Sequence, residues 1–173
     1  MPEHFLTFCE NLDECIKLPV KFKGMGYAGK EYPIGTIDFA GGIDIHFLHY
    51  NTFSEAQKKW YDRCKRVNKN RIVILFSDQN GCEAEHIKRF NRLDYPKLLF
   101  VGKNENAKMF ENSIYITPTK QEIEENINPV DKCMFFGGLT GKRRYEKHFN
   151  VEKFFKDLES NKKSEQKREH YGN

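Results

Sequence analysis

The chain has 173 residues, 29 of them basic and 25 acidic for a formal net charge of +4, and hydrophobic residues make up 38% of it. That length fits one core rather than two, and 15 Phe with 8 Tyr supply bulky apolar material that a disordered chain lacks. Part of the positive excess sits in Asn161 to Asn173 and no basic stripe interleaved with aromatics runs through the rest, so nucleic acid is not an expected partner, whereas an anionic small molecule such as a sugar nucleotide is.

Phe5, Phe8, Leu12, Cys15 and Ile16 recur at helical spacing between Pro2 and Pro19, which predicts an amphipathic helix over Pro2 to Lys17. A short strand, Val20 to Lys23, follows, and Gly24, Gly26 and Gly29 read as a flexible connection. Tyr32-Pro33-Ile34-Gly35 reads as a turn into Thr36 to Phe39. Gly41-Gly42 then breaks the chain before a strand expected from Ile43 to Tyr50. Ser54-Glu55-Ala56-Gln57 has the form of a capping box and opens a helix with Ala56, Trp60, Cys64 and Val67 on one face.

Ile72 to Phe76 is apolar throughout, as in a strand covered on both faces. A polar turn, Ser77 to Gly81, leads to a helix over Glu83 to Leu93 with Ile87 and Phe90 inward. Leu98 to Val101 and Ser113 to Thr117 are the next strands. Strand, helix, strand, helix, strand implies parallel crossovers. Beyond Pro118 the pattern predicts a helical turn at Gln121 to Asn126, a loop at Gly137-Gly138 and a last helix at Val151 to Leu158. The fold class expected is α/β: a single domain over 1–159 with a mostly parallel or mixed sheet and flanking helices, then a polar tail over 160–173, frayed from Ser160.

Five cysteines, Cys9, Cys15, Cys64, Cys82 and Cys133, with no secretory leader pattern, point to a reducing cytoplasm. The longest apolar run is far too short to cross a bilayer, so membrane contact would be peripheral.

The polar residues worth weighing begin with the strand Ile43 to Tyr50. With period two, Asp44, His46, Leu48 and Tyr50 share one face while Ile45, Phe47 and His49 share the other. The two histidines therefore do not form one metal site in a regular strand. Asp44 is placed to orient His46 as a general base, against the alternative of His46 as a core histidine satisfied by its surroundings. His49, near the strand end, is placed to face a cleft. Asp78 and Asn80, in the turn after the apolar strand, are placed to grip a ligand, or else are turn formers and helix caps. Cys82, at the start of a helix, is either a nucleophile or a buried thiol. Gly137 to Arg144 departs from a phosphate loop, because Phe136 replaces the first required glycine and Arg143 the Ser or Thr that would hold magnesium; Lys142 and Arg144 remain candidate phosphate contacts. Tyr50 and Arg63 complete the substrate-binding candidates. No cofactor is assigned.

Tyr32-Pro33-Ile34-Gly35, Ile45-His46-Phe47-Leu48-His49-Tyr50, Lys59-Trp60 with Arg63, Asp78 with Asn80-Gly81-Cys82, and Gly141-Lys142-Arg143-Arg144-Tyr145 resemble a bacterial family of unknown biochemical function found among capsular and exopolysaccharide biosynthesis proteins. The resemblance implies a role near surface-polysaccharide assembly, where transferases acting on glycan precursors dominate. Members of that family carry a further N-terminal segment, with a strand and a glycine segment rich in Asn-Asn-Cys, which this chain is expected to lack, and Gln79 stands where such members tend to carry Arg. Two other functions stay open: a non-catalytic binding or assembly module, and a metal-dependent hydrolase built on His46, His49 and Asp78, with Cys82 as a further candidate.

Overall fold

A computed structural model describes residues 1–110, 113–132 and 143–171. The α/β class expected from the sequence holds, with the strands divided between two three-stranded sheets, one antiparallel and one parallel. The chain forms two compact units, Met1–Ile72 with Arg89–Leu93, and Val73–Lys88 with Asp94–Asn173.

In the first unit the expected N-terminal helix is two, α1 (Pro2–Glu10) and α2 (Leu12–Cys15), broken at Asn11, whose φ of −125° and ψ of 34° are not helical. Three strands then run antiparallel in the order β1 (Val20–Tyr27), β2 (Glu31–Ile37) and β3 (Ile43–His46). Gly24 and Gly26, expected to form a connection, lie inside β1 instead, whereas Gly29, with φ of 77°, does sit between β1 and β2. Gly26 faces Tyr32 so closely that a Cβ there would meet the ring at 2.5 Å, so any larger residue would have to displace the end of that side chain.

Tyr32-Pro33-Ile34-Gly35 is likewise strand and not turn, and Pro33 explains why β3 stops at His46 instead of reaching Tyr50. Ile34 pairs with His46, so the next rung would join Pro33 to Phe47. Phe47 donates its N–H to the Pro33 carbonyl at 3.0 Å, but proline has no N–H to return. The Phe47 carbonyl accepts from Tyr50 N–H instead, at 3.0 Å, and Leu48-His49 becomes a turn.

Helix α3 (Phe53–Cys64) begins one residue before the expected cap, with Thr52 in place of Ser54 accepting from Glu55 N–H. It packs Ala56 and Trp60 on the sheet face carrying Val20, Ile37, Ile43 and Phe47. Arg89 ties α1 down through Glu3 and Glu10, at 2.5 and 2.7 Å.

The second unit has the predicted parallel crossovers. Strands β4 (Ile74–Ser77), β5 (Lys97–Val101) and β6 (Ser113–Tyr115) lie side by side in chain order. Helices α4 (Ala84–Arg92) and α5 (Asn104–Ala107) make the connections. Strand β4 is not covered on both faces, because Ile74 and Phe76 are buried while Leu75 is 50% exposed. Leu98, Phe100, Ile114, Ile116, Val130 and Tyr145 form this unit's core, with Phe149 and Phe154 against it. Helix α6 (Lys120–Glu124) carries a full capping box between Thr119 and Glu122. Helix α7 (Val151–Tyr171) runs past Leu158 through the segment expected to fray.

Candidate functional site

The two sides of the first unit's sheet differ in chemistry. Pro33, Gly35, Ile37, Ile43 and Ile45 face the apolar cluster, while Tyr32, Thr36, Asp44 and His46 project from the opposite face. Asp44 and His46 therefore share a face, as the two-residue spacing predicted. Their partners are not each other. His46 Nδ1 is hydrogen-bonded to Tyr32 Oη at 3.0 Å, and the two rings lie 5.7 Å apart. Asp44 Oδ2 accepts from the Lys23 ammonium. The register shift between Phe22 and Gly24 marks the bulge from which Lys23 reaches across the sheet.

Burial opposes ionisation of Asp44, but the Lys23 ammonium, the Thr36 hydroxyl and His4 more than offset it, so the carboxyl titrates below its ordinary value. His46 is also lowered. Partial desolvation of the ring is the main cause, followed by the chain's terminal ammonium, and Asp44 acts in the opposite direction. The imidazole is thus neutral at pH 7 and able to accept a proton.

Helix α1 closes this edge of β3. His4 accepts the Asp44 backbone N–H on its Nδ1 at 3.1 Å, and Phe8, one turn along, stacks edge-on against Trp60 at 5.7 Å. Between them lies a pocket of about 330 Å³, with Phe5, Phe8, Ile43, Ile45 and Trp60 as its apolar walls and His4, Asp44 and His46 as its polar ones. Asp44 Oδ1 and Trp60 Nε1 are both sealed from solvent and have no partner within hydrogen-bond distance among the described residues; the Thr36 hydroxyl is the neighbour that stabilises the Asp44 carboxylate.

The other candidates fall differently. His49 is exposed on the turn after β3 and does not line this pocket. Tyr50 packs edge-on against Phe47, and exposed Arg63 lies over its ring at 5.9 Å. Asp78 and Asn80 line a separate depression in the second unit, at the carboxyl ends of β4 and β5. Asp78 is only 3% exposed. Its carboxylate accepts from Gly102 N–H, Lys103 N–H and the Asn106 and Asn128 amides at 2.9 to 3.0 Å. That saturation makes it a clasp for the loop after β5.

Asn80, with φ of 55°, and Gly81, with φ of 78°, form the turn itself. Burial and then Asp78 push the Cys82 thiol up to about 11, which disfavours the thiolate a nucleophile needs. Arg144 is held by Glu122 at 2.6 and 2.9 Å and also donates to the Thr117 carbonyl. Lys142, Cys133 and the glycines from Gly137 to Gly141 lie outside the described residues. Among the described residues no three His, Cys, Asp or Glu side chains are grouped as metal ligands would be.

Sequence reasoning missed His4, Lys23 and Tyr32. Only Tyr32 left a signal, as an aromatic beside a proline in a β-rich stretch; His4 and Lys23 arrive through a helix docking and a bulge.

The fold and this pocket define the class: an α/β protein whose polar pocket lies on the edge of an antiparallel sheet. Residues 1–156 match the family described as domain of unknown function (DUF1919), and the chain belongs to that family. It is similar, at 29% identity over 155 residues, to an uncharacterized protein of Haemophilus influenzae; the match covers 89% of this chain and 68% of that protein. No solved structure matches. No described helix is long and apolar enough to cross a membrane.

Proposed function

We propose that this chain serves surface-polysaccharide biosynthesis in the cytoplasm as a transferase acting on a glycan precursor, with His46 as the general base for an acceptor hydroxyl. The observation that carries the reading is a neutral imidazole held through one nitrogen by Tyr32 at the rim of the pocket between α1 and the β3 edge. In the tautomer whose Nδ1–H donates to Tyr32 Oη, Nε2 keeps a free lone pair. Nε2 takes the hydroxyl proton as the acceptor oxygen bonds to the transferred group, and the donor's leaving group departs with the electrons of the broken bond. The net charge of +4 supports an anionic activated donor, such as a sugar nucleotide. Arg63 is the first unit's candidate cation for that donor, and Lys142 a further one. Any contact with the membrane where polysaccharide precursors are assembled is peripheral.

The test is His46→Ala in a strain whose surface polysaccharide depends on this protein, with His49→Ala in parallel to show which histidine carries the effect. Loss of a general base costs roughly 100-fold or more in rate. A folded His46→Ala protein that sustains full output would replace this reading with a non-catalytic assembly module.

A further inference from the structure

We infer that the pocket between α1 and the β3 edge holds a short acyl group, so that the group transferred is an acyl group from a thioester donor and not a sugar; this rests on the transfer reading above. The walls fix the body of the ligand. Phe5, Phe8, Ile43, Ile45 and Trp60 enclose a space of about 330 Å³, at the small end of ligand sites. A sugar ring needs several polar partners around it, and the lining has few within reach. Asp44 Oδ1 and Trp60 Nε1 are sealed from solvent, and Asp44 Oδ2 is taken by Lys23. A short run of methylenes needs no such partners.

The polar atoms still within reach fix the head. His4 and His46 each engage Nδ1 with the protein, the one accepting the Asp44 N–H and the other bonded to Tyr32 Oη. While His4 Nδ1 accepts, the proton of the neutral ring is on Nε2, which has no described partner and is open to solvent. His46, exposed at the rim, keeps its Nε2 lone pair. One pocket therefore has a donor for a carbonyl oxygen and a base for a hydroxyl. Met1 lines it too, with its terminal ammonium, so an anionic group is accommodated nearby. A phosphate-bearing thiol carrier meets the charge argument made for the donor as well as a sugar nucleotide does.

The acceptor oxygen bonds to the acyl carbon as His46 Nε2 takes its proton, and the carbonyl π pair moves onto oxygen, where His4 Nε2–H meets it. Return of that pair breaks the carbon–sulfur bond. The thiolate leaves with the bonding electrons and recovers the proton from His46.

The probes are acetyl, propionyl and butyryl N-acetylcysteamine derivatives in which a methylene replaces the thioester sulfur, so that nothing reacts, with a carbonyl-free counterpart of the butyryl compound. Trp60, the chain's single tryptophan, lines the pocket, and its emission is followed in the full chain. Saturable binding is expected, tightening about fourfold per added methylene. The carbonyl-free counterpart should bind about three- to tenfold more weakly. His4→Asn keeps an oxygen for the Asp44 N–H but has no donor in place of Nε2; it should erase the carbonyl preference and keep the chain-length gain. Phe5→Ala should do the opposite. A cooperative thermal transition establishes that each variant is folded.

The inference is overturned by no saturation with any ketone at millimolar concentration, by affinity independent of chain length, or by an unchanged carbonyl preference in folded His4→Asn. Equal or tighter binding of methyl glucoside, glucose 1-phosphate or butyrate also overturns it. The His46→Ala strain keeps the two readings apart. Lost polysaccharide output there, with no response to the ketones, removes the acyl assignment and leaves the general base standing. A graded ketone response with full output in that strain does the reverse.

Discussion

Replacing Glu122 with Gln should cost the folded chain about 3 kcal/mol at neutral pH, and the cost should shrink in acid. The Glu122 side chain is 6% exposed and Arg144 is 18% exposed. The carboxylate receives both terminal nitrogens of the guanidinium, at 2.6 and 2.9 Å, and the Thr119 N–H and hydroxyl at 2.8 and 3.0 Å. Arg144 is the largest influence, burial opposes it and Thr119 assists, so the carboxyl falls from its ordinary 4.5 to about 2. At about 1.4 kcal/mol per pH unit, that separation corresponds to about 3 kcal/mol.

The sign follows from a folded value below the unfolded one. The contribution is complete above pH 4.5 and is lost as pH falls through about 2. By pH 3, about 2 kcal/mol of it should be gone. Gln keeps the size and an oxygen for Thr119 but not the charge. Urea denaturation of both proteins, followed by far-UV circular dichroism at pH 7, 5 and 3.5, reads the difference directly. Arg144→Met should lose about 3 to 5 kcal/mol at pH 7, as expected when one member of a buried pair is removed. A difference below about 1 kcal/mol at pH 7, or one that does not change with pH, would refute the reasoning. In that case Arg144 would return to the candidates for donor binding.

Asp78→Asn turns an amide donor towards donors from Gly102, Lys103, Asn106 and Asn128. It should lower stability by about 2 to 4 kcal/mol; a thermal scan showing no drop would release Asp78 for a ligand role. With its thiol at about 11, Cys82 should react with iodoacetamide at pH 7.5 about 100-fold more slowly than a free thiol. Intact-mass kinetics checks this, and rapid labelling would revive the nucleophile. Gly35→Ala puts a Cβ 2.6 Å from Val20 Cγ2 and 2.9 Å from Phe47 Cε2. The crowding should cost about 1 to 3 kcal/mol, read as a fall in Tm.

The second unit was the more legible half of the fold. Its strands are short apolar runs separated by helical periodicity, and local pattern is enough to predict parallel crossovers. The first sheet was obscured by its own residues. Gly24 and Gly26 in β1 and Pro33 in β2 are the types that normally argue against a strand. They fit here because a tyrosine ring lies over one glycine and because the proline sits where a ladder ends. Neither circumstance is local in sequence. In the second unit, Asp78 and Arg144 stood out in the sequence as candidate ligand contacts, and their saturation by protein groups could not be foreseen. Their donors and acceptors, at Asn106, Asn128 and Glu122, lie 22 to 50 residues away along the chain.

Pro33 also decides where each histidine stands. Had residue 33 carried an N–H, the rung to Phe47 would have closed, β3 could have continued, and His49 would have stood on the sheet face opposite His46. With the rung half made, the strand ends at His46, the chain turns through Leu48-His49, and His49 is left on the surface. His46 stays as the last paired residue of β3, opposite Ile34 and within reach of Tyr32, which precedes the proline. One dipeptide, Tyr32-Pro33, thus supplies both the terminator of the strand and the partner of its last side chain. The Asp44-to-His46 spacing was readable because period two is local. That Tyr32 and not Asp44 holds the imidazole was not, because it depends on a pairing register set by Pro33.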